Sequence, residues 1–407
     1  MKVLYLSPNA FIGELPEFTK NKNGFSLMVG DIVKSMAKKE EVYLLTYAIT
    51  KECELQNVRV VRHTWLQIFR ATSVKYVFEG IKNSLRFKVP VKNRLRYLYY
   101  SINKGAVKTI IKTIAPDIIN IHGIGYATKP FIEICEELDV KYVVTLHGLI
   151  GIDESVRATK HDKEYEKQFL IESEKKNILI SVISSGIKRR ILEHYCLEHG
   201  NNIKVILNGT GIKKDVQCSN NVIERHEIPP DKSVLLCIGN ITDNKNQIQV
   251  VRAYNLLKKE IKDKVVVLFL GNEVDGGKVR AEIKRMGCEE NLILCGFVER
   301  KEMSSYLECS MLNLFPSLND GFGLPIIECF MYGVPTLAFS DLDAVIDVYK
   351  EECMMLVEKR DDALFAEKME KALQKKWDKK VIESYGKKFS IEEMTRQYQK
   401  LYYGEIG

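Results

Sequence analysis

The sequence is poor in the devices that mark several functional classes. Its ten cysteines are scattered over 407 residues, with no C-x-x-C pair and no His–Cys spacing of a metal site. That pattern speaks against a disulfide framework or a zinc centre. It speaks for a reducing cytoplasm, where cysteine serves as a small apolar residue. No strict P-loop and no Ser-His-Asp order occurs. No apolar run approaches the roughly 18 residues of a membrane span. The opening Met-Lys-Val-Leu-Tyr-Leu-Ser-Pro is too short an apolar stretch for a secretory leader. The expected location is the cytoplasm.

What is present is an ordinary globular composition, 45% hydrophobic and 28% charged, at a length that calls for two domains. Residues 2–7 read as a strand. Asn23-Gly24 precedes a helix over 25–38, with Leu27, Ile32, Val33, Met36 and Ala37 on related faces, and a strand follows over 41–47. Residues 116–123 and 142–148 read as strands that end in His122-Gly123 and His147-Gly148. Their histidines fall at C-terminal strand ends, where open α/β sheets bind ligands, although a lone histidine there is more often structural. Residues 177–184 and 204–207 continue the series, and Ser184-Ser185-Gly186 opens a basic helix. Further strands over 234–238, 265–271 and 292–296, and helices over 361–371 and 391–403, complete an alternation that implies α/β architecture.

Acidic residues are nearly missing from residues 59–112. Thirteen Lys or Arg face the single Glu79, which leaves +12; the chain's net +7 then puts −5 on the remainder. Trp65, Phe69, Tyr76, Phe78, Phe87, Tyr97, Tyr99 and Tyr100 are interleaved. A basic, aromatic surface suits anionic lipid headgroups and could also suit nucleic acid. The alternative is a set of solvated helix faces over core aromatics. No aromatic RNP-type or helix-turn-helix signature supports nucleic acid, so none is expected as a partner.

The richest stretch is residues 311–339. An apolar run over 311–315 reads as a buried strand, followed by Pro-Ser-Leu-Asn-Asp and then Gly321-Phe322-Gly323-Leu324-Pro325. Residues 326–332 have helical spacing, closed by Gly333 and Pro335, and residues 334–339 read as the next strand. The first amides of a helix lack internal partners and carry positive potential, and two glycines let a ligand approach them. Asp320 and Glu328 flank this cluster and can accept hydrogen bonds from sugar hydroxyls. The plainer reading is a glycine turn with an acidic residue at a helix start.

The order Asp320-Gly-Phe-Gly-Leu-Pro-Ile-Ile-Glu328 resembles the E-x7-E signature of the GT4-type retaining glycosyltransferases, with Asp320 where Glu is usual and one methylene fewer to reach the ligand. The resemblance implies a GT-B fold: two Rossmann-like doubly wound α/β domains facing a central cleft. It implies an acceptor-binding domain over 1–207, a nucleotide-sugar-binding domain over 208–385 and a C-terminal helix over 386–407 that returns to the first domain. Asn208-Gly209-Thr210 falls at the hinge. The implied activity is retaining transfer of a hexosyl unit from a nucleotide-diphosphate sugar to a glycan or lipid-linked acceptor, with front-face attack and no metal or other cofactor. The implied roles are Asp320 and His122 at the sugar, Lys245 and the backbone of Gly321, Phe322, Gly323 and Leu324 at the diphosphate, Glu328 at the ribose, and Gly24 beside the diphosphate.

Two further departures stand out. In Gly239-Asn-Ile-Thr-Asp-Asn-Lys245, relatives have an arginine where Asn240 stands, so Asn240 is the candidate donor contact there. The stretch Ser-Asp-Leu-Asp-Ala, with Asp341 and Asp343, replaces a glycine pair; its D-x-D spelling is discounted as a metal motif because that motif belongs to a different fold. A catalytically silent glycan-binding or scaffold protein of the same fold stays open as the alternative. The basic segment adds the expectation of peripheral association with the inner face of an anionic membrane.

Overall fold

Apolar runs buried on both faces make the strands here, the pattern of parallel sheets covered by helices on each side. The computed structural model describes residues 1–13, 24–47, 52–62, 64–86, 91–152, 158–212 and 221–405. The chain divides into two units, Met1–Ile206 with Met394–Gly407, and Leu207–Glu393.

The first unit holds β1 (Lys2–Ser7), β2 (Glu41–Thr46), β3 (Cys53–Leu55), β4 (Val58–Val61), β5 (Ile118–His122), β6 (Tyr142–Leu146), β7 (Leu179–Val182) and β8 (Ile203–Val205). They form one sheet in the order β3-β4-β2-β1-β5-β6-β7-β8, parallel except for the β3–β4 pair. Its helices are α1 (Gly24–Met36), α2 (Trp65–Ala71), α3 (Val74–Arg86), α4 (Val91–Ile114), α5 (Lys129–Leu138), α6 (Lys160–Lys175) and α7 (Ser185–Tyr195). The basic segment 59–112 is therefore the end of β4 followed by α2, α3 and most of α4. The strand expected over 177–184 is shorter because Asn177 turns with φ 51° and Ser184 leaves the ladder to cap α7, its hydroxyl accepting from Ile187 N.

The second unit holds β9 (Ser233–Ile238), β10 (Val265–Leu270), β11 (Leu292–Gly296), β12 (Ser310–Phe315), β13 (Thr336–Phe339) and β14 (Met354–Val357), ordered β11-β10-β9-β12-β13-β14 and parallel throughout. Helices α8 (Asn221–Arg225), α9 (Gln247–Leu256), α10 (Lys259–Lys262), α11 (Lys278–Met286), α12 (Met303–Glu308), α13 (Leu324–Phe330), α14 (Asp343–Ile346), α15 (Asp362–Gln374) and α16 (Lys379–Gly386) surround it. All six residues of β10 are buried. Each unit is Rossmann-like, as the strand–helix alternation predicts.

The last helix, α17 (Ile391–Tyr403), packs into the first unit from Met394 onward. Thr395 Oγ1 donates to Ser35 Oγ at 2.8 Å, and Gln399 Nε2 donates to Glu40 Oε1 at 2.9 Å. Asn120 Nδ2 donates to the Tyr402 hydroxyl at 2.6 Å, which in turn donates to the Tyr5 hydroxyl at 3.3 Å. These links, buried except for the half-buried Gln399–Glu40 bond, make the helix part of the first unit's core, because a buried polar group left unpaired costs free energy.

Both sheets reverse their strand order once. The first does so between β1 and β5, the second between β9 and β12. At such points the loops leave in opposite directions and open a crevice at the C-terminal strand ends.

Candidate active site

In the second unit the reversal brings two loops together, residues 239–246 after β9 and residues 316–323 after β12. Two asparagines and an arginine fasten the second loop. Asn244 Nδ2 donates to Asn319 O at 2.9 Å, and Leu318 N donates to Asn244 O at 2.7 Å. Asn246 Nδ2 donates to Pro316 O at 3.2 Å. Arg360 donates to Ser317 O and Leu318 O, both at 2.9 Å, while its Nε and Nη2 reach the two carboxylate oxygens of Asp341 at 3.1 and 2.9 Å. The guanidinium also lies 4.7 Å from the centre of the Phe339 ring. Asp341 is thus the carboxylate of an arginine clamp. Asn240 sits at the end of β9, where its Oδ1 accepts from Asn272 N at 3.1 Å.

Lys245 and Asp320 meet at the centre of this arrangement as an ion pair, with side chains 26% and 16% exposed. The other carboxylate oxygen of Asp320 accepts from Gly323 N at 2.8 Å and Phe322 N at 3.2 Å. Burial pushes the Asp320 carboxyl up, but Lys245 and these two amides outweigh it, and the group is held below the usual carboxylate range. Of the four amides assigned to a diphosphate, those of Phe322 and Gly323 therefore serve Asp320. Phe322 is buried, with its ring edge-on to Phe389 at 6.4 Å, so only its backbone faces the loop. Gly323 has φ 73°, and a Cβ there would meet Ile326 Cδ1 at 2.8 Å, which explains the glycine before α13. Pro325 lies in the first turn of α13 and Glu328, half-buried, one turn further on. Asn240, Lys245, Asp320, Gly321 to Leu324 and Glu328 thus lie on the two loops, and on the helix α13 that follows the second, at the reversal of the second sheet.

Gly24 and His122 belong to the first unit. His122 ends β5 and is fully buried; its Nδ1 lies 2.9 Å from His147 Nε2 at the end of β6, with the rings stacked. His122 Nε2 is buried without a hydrogen-bond partner among the described residues. Burial, then His147, holds the His122 imidazole well below its ordinary range, and burial takes His147 down to about 4. Both rings are neutral at neutral pH. Gly24 opens α1 in open space, and the next residue, Phe25, places its ring edge-on to His147 at 4.9 Å. The chain thus brings Gly24 and the histidine pair together at the reversal of the first sheet. Asn23 lies outside the described residues.

Sequence reasoning missed Arg360, Asn244 and Asn246. The asparagines carried a signal, because three of them crowd the loop before α9. Arg360 carried none: it is one cation among many, 43 residues from Ser317.

Residues 219–389 match the family described as glycosyl transferases group 1. The chain is similar to poly(glycerol-phosphate) alpha-glucosyltransferase of Bacillus subtilis (strain 168), 28% identical over 112 residues, 28% of this chain and 16% of that protein. It is similar to the serotype-specific mannosyltransferase WbdA of Escherichia coli, 23% identical over 240 residues, 56% of this chain and 29% of that protein. These matches span well under half of either relative's length. Among solved structures, sucrose-phosphate synthase from Thermosynechococcus elongatus superposes with a TM-score of 0.73 at 16% identity, covering 100% of this chain and 99% of that one. The matched residues 219–389 hold the Lys245–Asp320 pair, and the chain carries a GT-B fold of two Rossmann-like domains.

Proposed function

We propose that this protein is a retaining glycosyltransferase that moves a hexosyl unit from a nucleotide-diphosphate sugar to a glycan or lipid-linked acceptor in cell-surface polysaccharide biosynthesis. The observation that carries the reading is the Lys245–Asp320 pair beside the start of α13, inside the segment that matches the family. The names of the two curated relatives, a glucosyltransferase acting on poly(glycerol-phosphate) and a serotype-specific mannosyltransferase, support a polymeric acceptor.

In this reading the donor diphosphate takes Lys245 from Asp320, with the Gly321 and Leu324 amides beside it. Asp320, released but still held by two loop amides, then accepts from sugar hydroxyls. Glu328 accepts from the ribose, and His122 serves the sugar. With front-face attack the leaving phosphate draws the acceptor proton, so the protein contributes position and charge stabilisation. The second unit is the donor domain and the first the acceptor domain. No metal takes a role: Asp341 is engaged by Arg360, and Lys245 meets the phosphate charge.

The same reading docks the protein on the inner face of an anionic membrane through residues 59–112. Among the described residues, eight of the sixteen exposed large apolar side chains lie between Leu66 and Leu95. Val74, Phe78, Ile81 and Leu85 form an exposed stripe along α3 at helical spacing, and exposed Arg70, Lys75, Lys82 and Arg96 accompany it. No described helix is long and apolar enough to cross a membrane.

The test is donor consumption over a panel of nucleotide sugars, with a chelator present in one arm. Consumption of at least one donor, lost on Lys245→Met and insensitive to the chelator, is expected. No consumption and no thermal stabilisation by any donor would sink the reading and favour the silent glycan-binding alternative.

A further inference from the structure

Next to the exposed stripe, four helix segments leave a cavity of about 340 Å³. The end of α2 and the turn before α3 form one wall, the first turn of α3 and one face of α4 form others, and Glu137 near the end of α5 closes it. The close seating of α2 on α4 depends on Gly105, where a Cβ would collide with the Ala71 carbonyl.

The lining is basic. Lys75 comes from the first turn of α3, and Lys108 and Lys112 lie one turn apart on α4, with the hydroxyl-bearing Ser73 and Thr109. Against these three cations stands Glu137 alone, which leaves a formal +2. Glu137 is already engaged: it accepts from Lys108 and, at 2.9 Å, from the Tyr76 hydroxyl, and Lys108 foremost holds its carboxyl below the usual range. Lys75 and Lys112 form no ion pair with a described residue. A half-open, hydroxyl-bearing site with two ammonium groups outside any ion pair fits a phosphate. The stripe decides which phosphate. Val74, its first member and 71% exposed, is adjacent in sequence to Lys75. A soluble anion has no use for an exposed apolar row; a bilayer offers the phosphate and the apolar layer beneath it together.

Resting on the membrane-docking reading above, we propose that this cavity binds the phosphate of an anionic glycerophospholipid, so that the protein attaches through one built headgroup site as well as a diffuse basic face.

The experiment uses the full chain and flotation with neutral vesicles of phosphatidylcholine, or with phosphatidylglycerol added. Two double variants carry the same change in charge on exposed side chains: Lys75→Glu with Lys112→Glu inside the cavity, and Arg70→Glu with Lys82→Glu outside it. A built site predicts that the cavity pair weakens binding to phosphatidylglycerol vesicles about tenfold or more, and clearly beyond the outside pair. Inorganic phosphate should displace the unaltered chain better than chloride at equal ionic strength, and the cavity variant should lose that difference. Phe78→Ser with Leu85→Ser should lose vesicle binding. Equal losses in the two charge variants, or no distinction between phosphate and chloride, would overturn the site in favour of a diffuse field. Phosphate protection of the cavity lysines without vesicle binding would overturn the lipid assignment in favour of a soluble anion. Donor consumption in the cavity variant is expected to be unchanged, so a failed cavity leaves the transferase reading standing, and a failed transferase assay leaves the vesicle result intact.

Discussion

Lys245 donates to Asp320, 75 residues further along the chain, and so neutralises the carboxylate that the proposed function sets at the sugar. The pair is a resting contact between two groups that the proposed reaction uses separately. Lys245→Met leaves Asp320 charged and poorly solvated; a cost of about 1–3 kcal/mol is expected in urea unfolding, partly recovered in the double variant with Asp320→Asn. Turnover should fall about 100-fold or more, because removing one preorganised charge contact to a leaving group costs on that order. Wild-type turnover in Lys245→Met would remove the lysine from the reaction.

Arg360 is expected to act on donor affinity without touching the donor. It ties residues 317 and 318 to Asp341, so Arg360→Ala should release the loop that carries Asp320 and raise the donor KM about tenfold. Arg360→Lys should rescue little, because an ammonium cannot reproduce the fork that serves two carbonyls and two carboxylate oxygens together. Full rescue by lysine would reduce the residue to a simple positive charge.

Glu328→Ala should weaken donor binding roughly 10- to 100-fold, the range for losing a hydrogen bond to a charged group, while the folded state changes little because the side chain is half-buried. Calorimetric titration with a consumed donor and its nucleoside diphosphate makes the comparison. Equal affinity of variant and parent, with equal turnover, would reassign the residue.

The histidine pair predicts a pH dependence of stability. Both imidazoles are shifted down from 6.5 in the fold, His147 to about 4, so below pH 6.5 the unfolded chain binds more protons than the native one. Stability present above about 6.5 is therefore lost as the pH falls toward 4. His147→Gln removes its share and should flatten the urea-unfolding curve between those values. Asp320, also shifted down, acts below the ordinary aspartate value of 3.8, whereas His226, lowered from 6.5 by burial, acts in the same window in parent and variant alike. Parallel curves for parent and variant would show that His147 is not the group that titrates.

The sequence by itself determined the local units. The strand, glycine loop, helix and strand between Ser310 and Phe339 were legible because each depends on near neighbours: an apolar run, a residue at positive φ, a proline in the first turn and Gly333 at φ 73° as the stop. The two histidine strand ends and the Gly24 helix start were legible for the same reason. Strand order was not written locally. Only the sheet sets β9 beside β12, which carries Lys245 to Asp320, and only the packing of β13 and β14 brings Arg360 to Ser317. The basic segment shows the same division. Its charge and aromatics could be counted from the residues, but Tyr76 and Tyr97 went to the core while Phe69 and Phe78 stayed outside, 82% and 69% exposed. That choice depends on which helix faces meet, and helix faces meet through contacts distant in sequence, which periodicity alone does not encode.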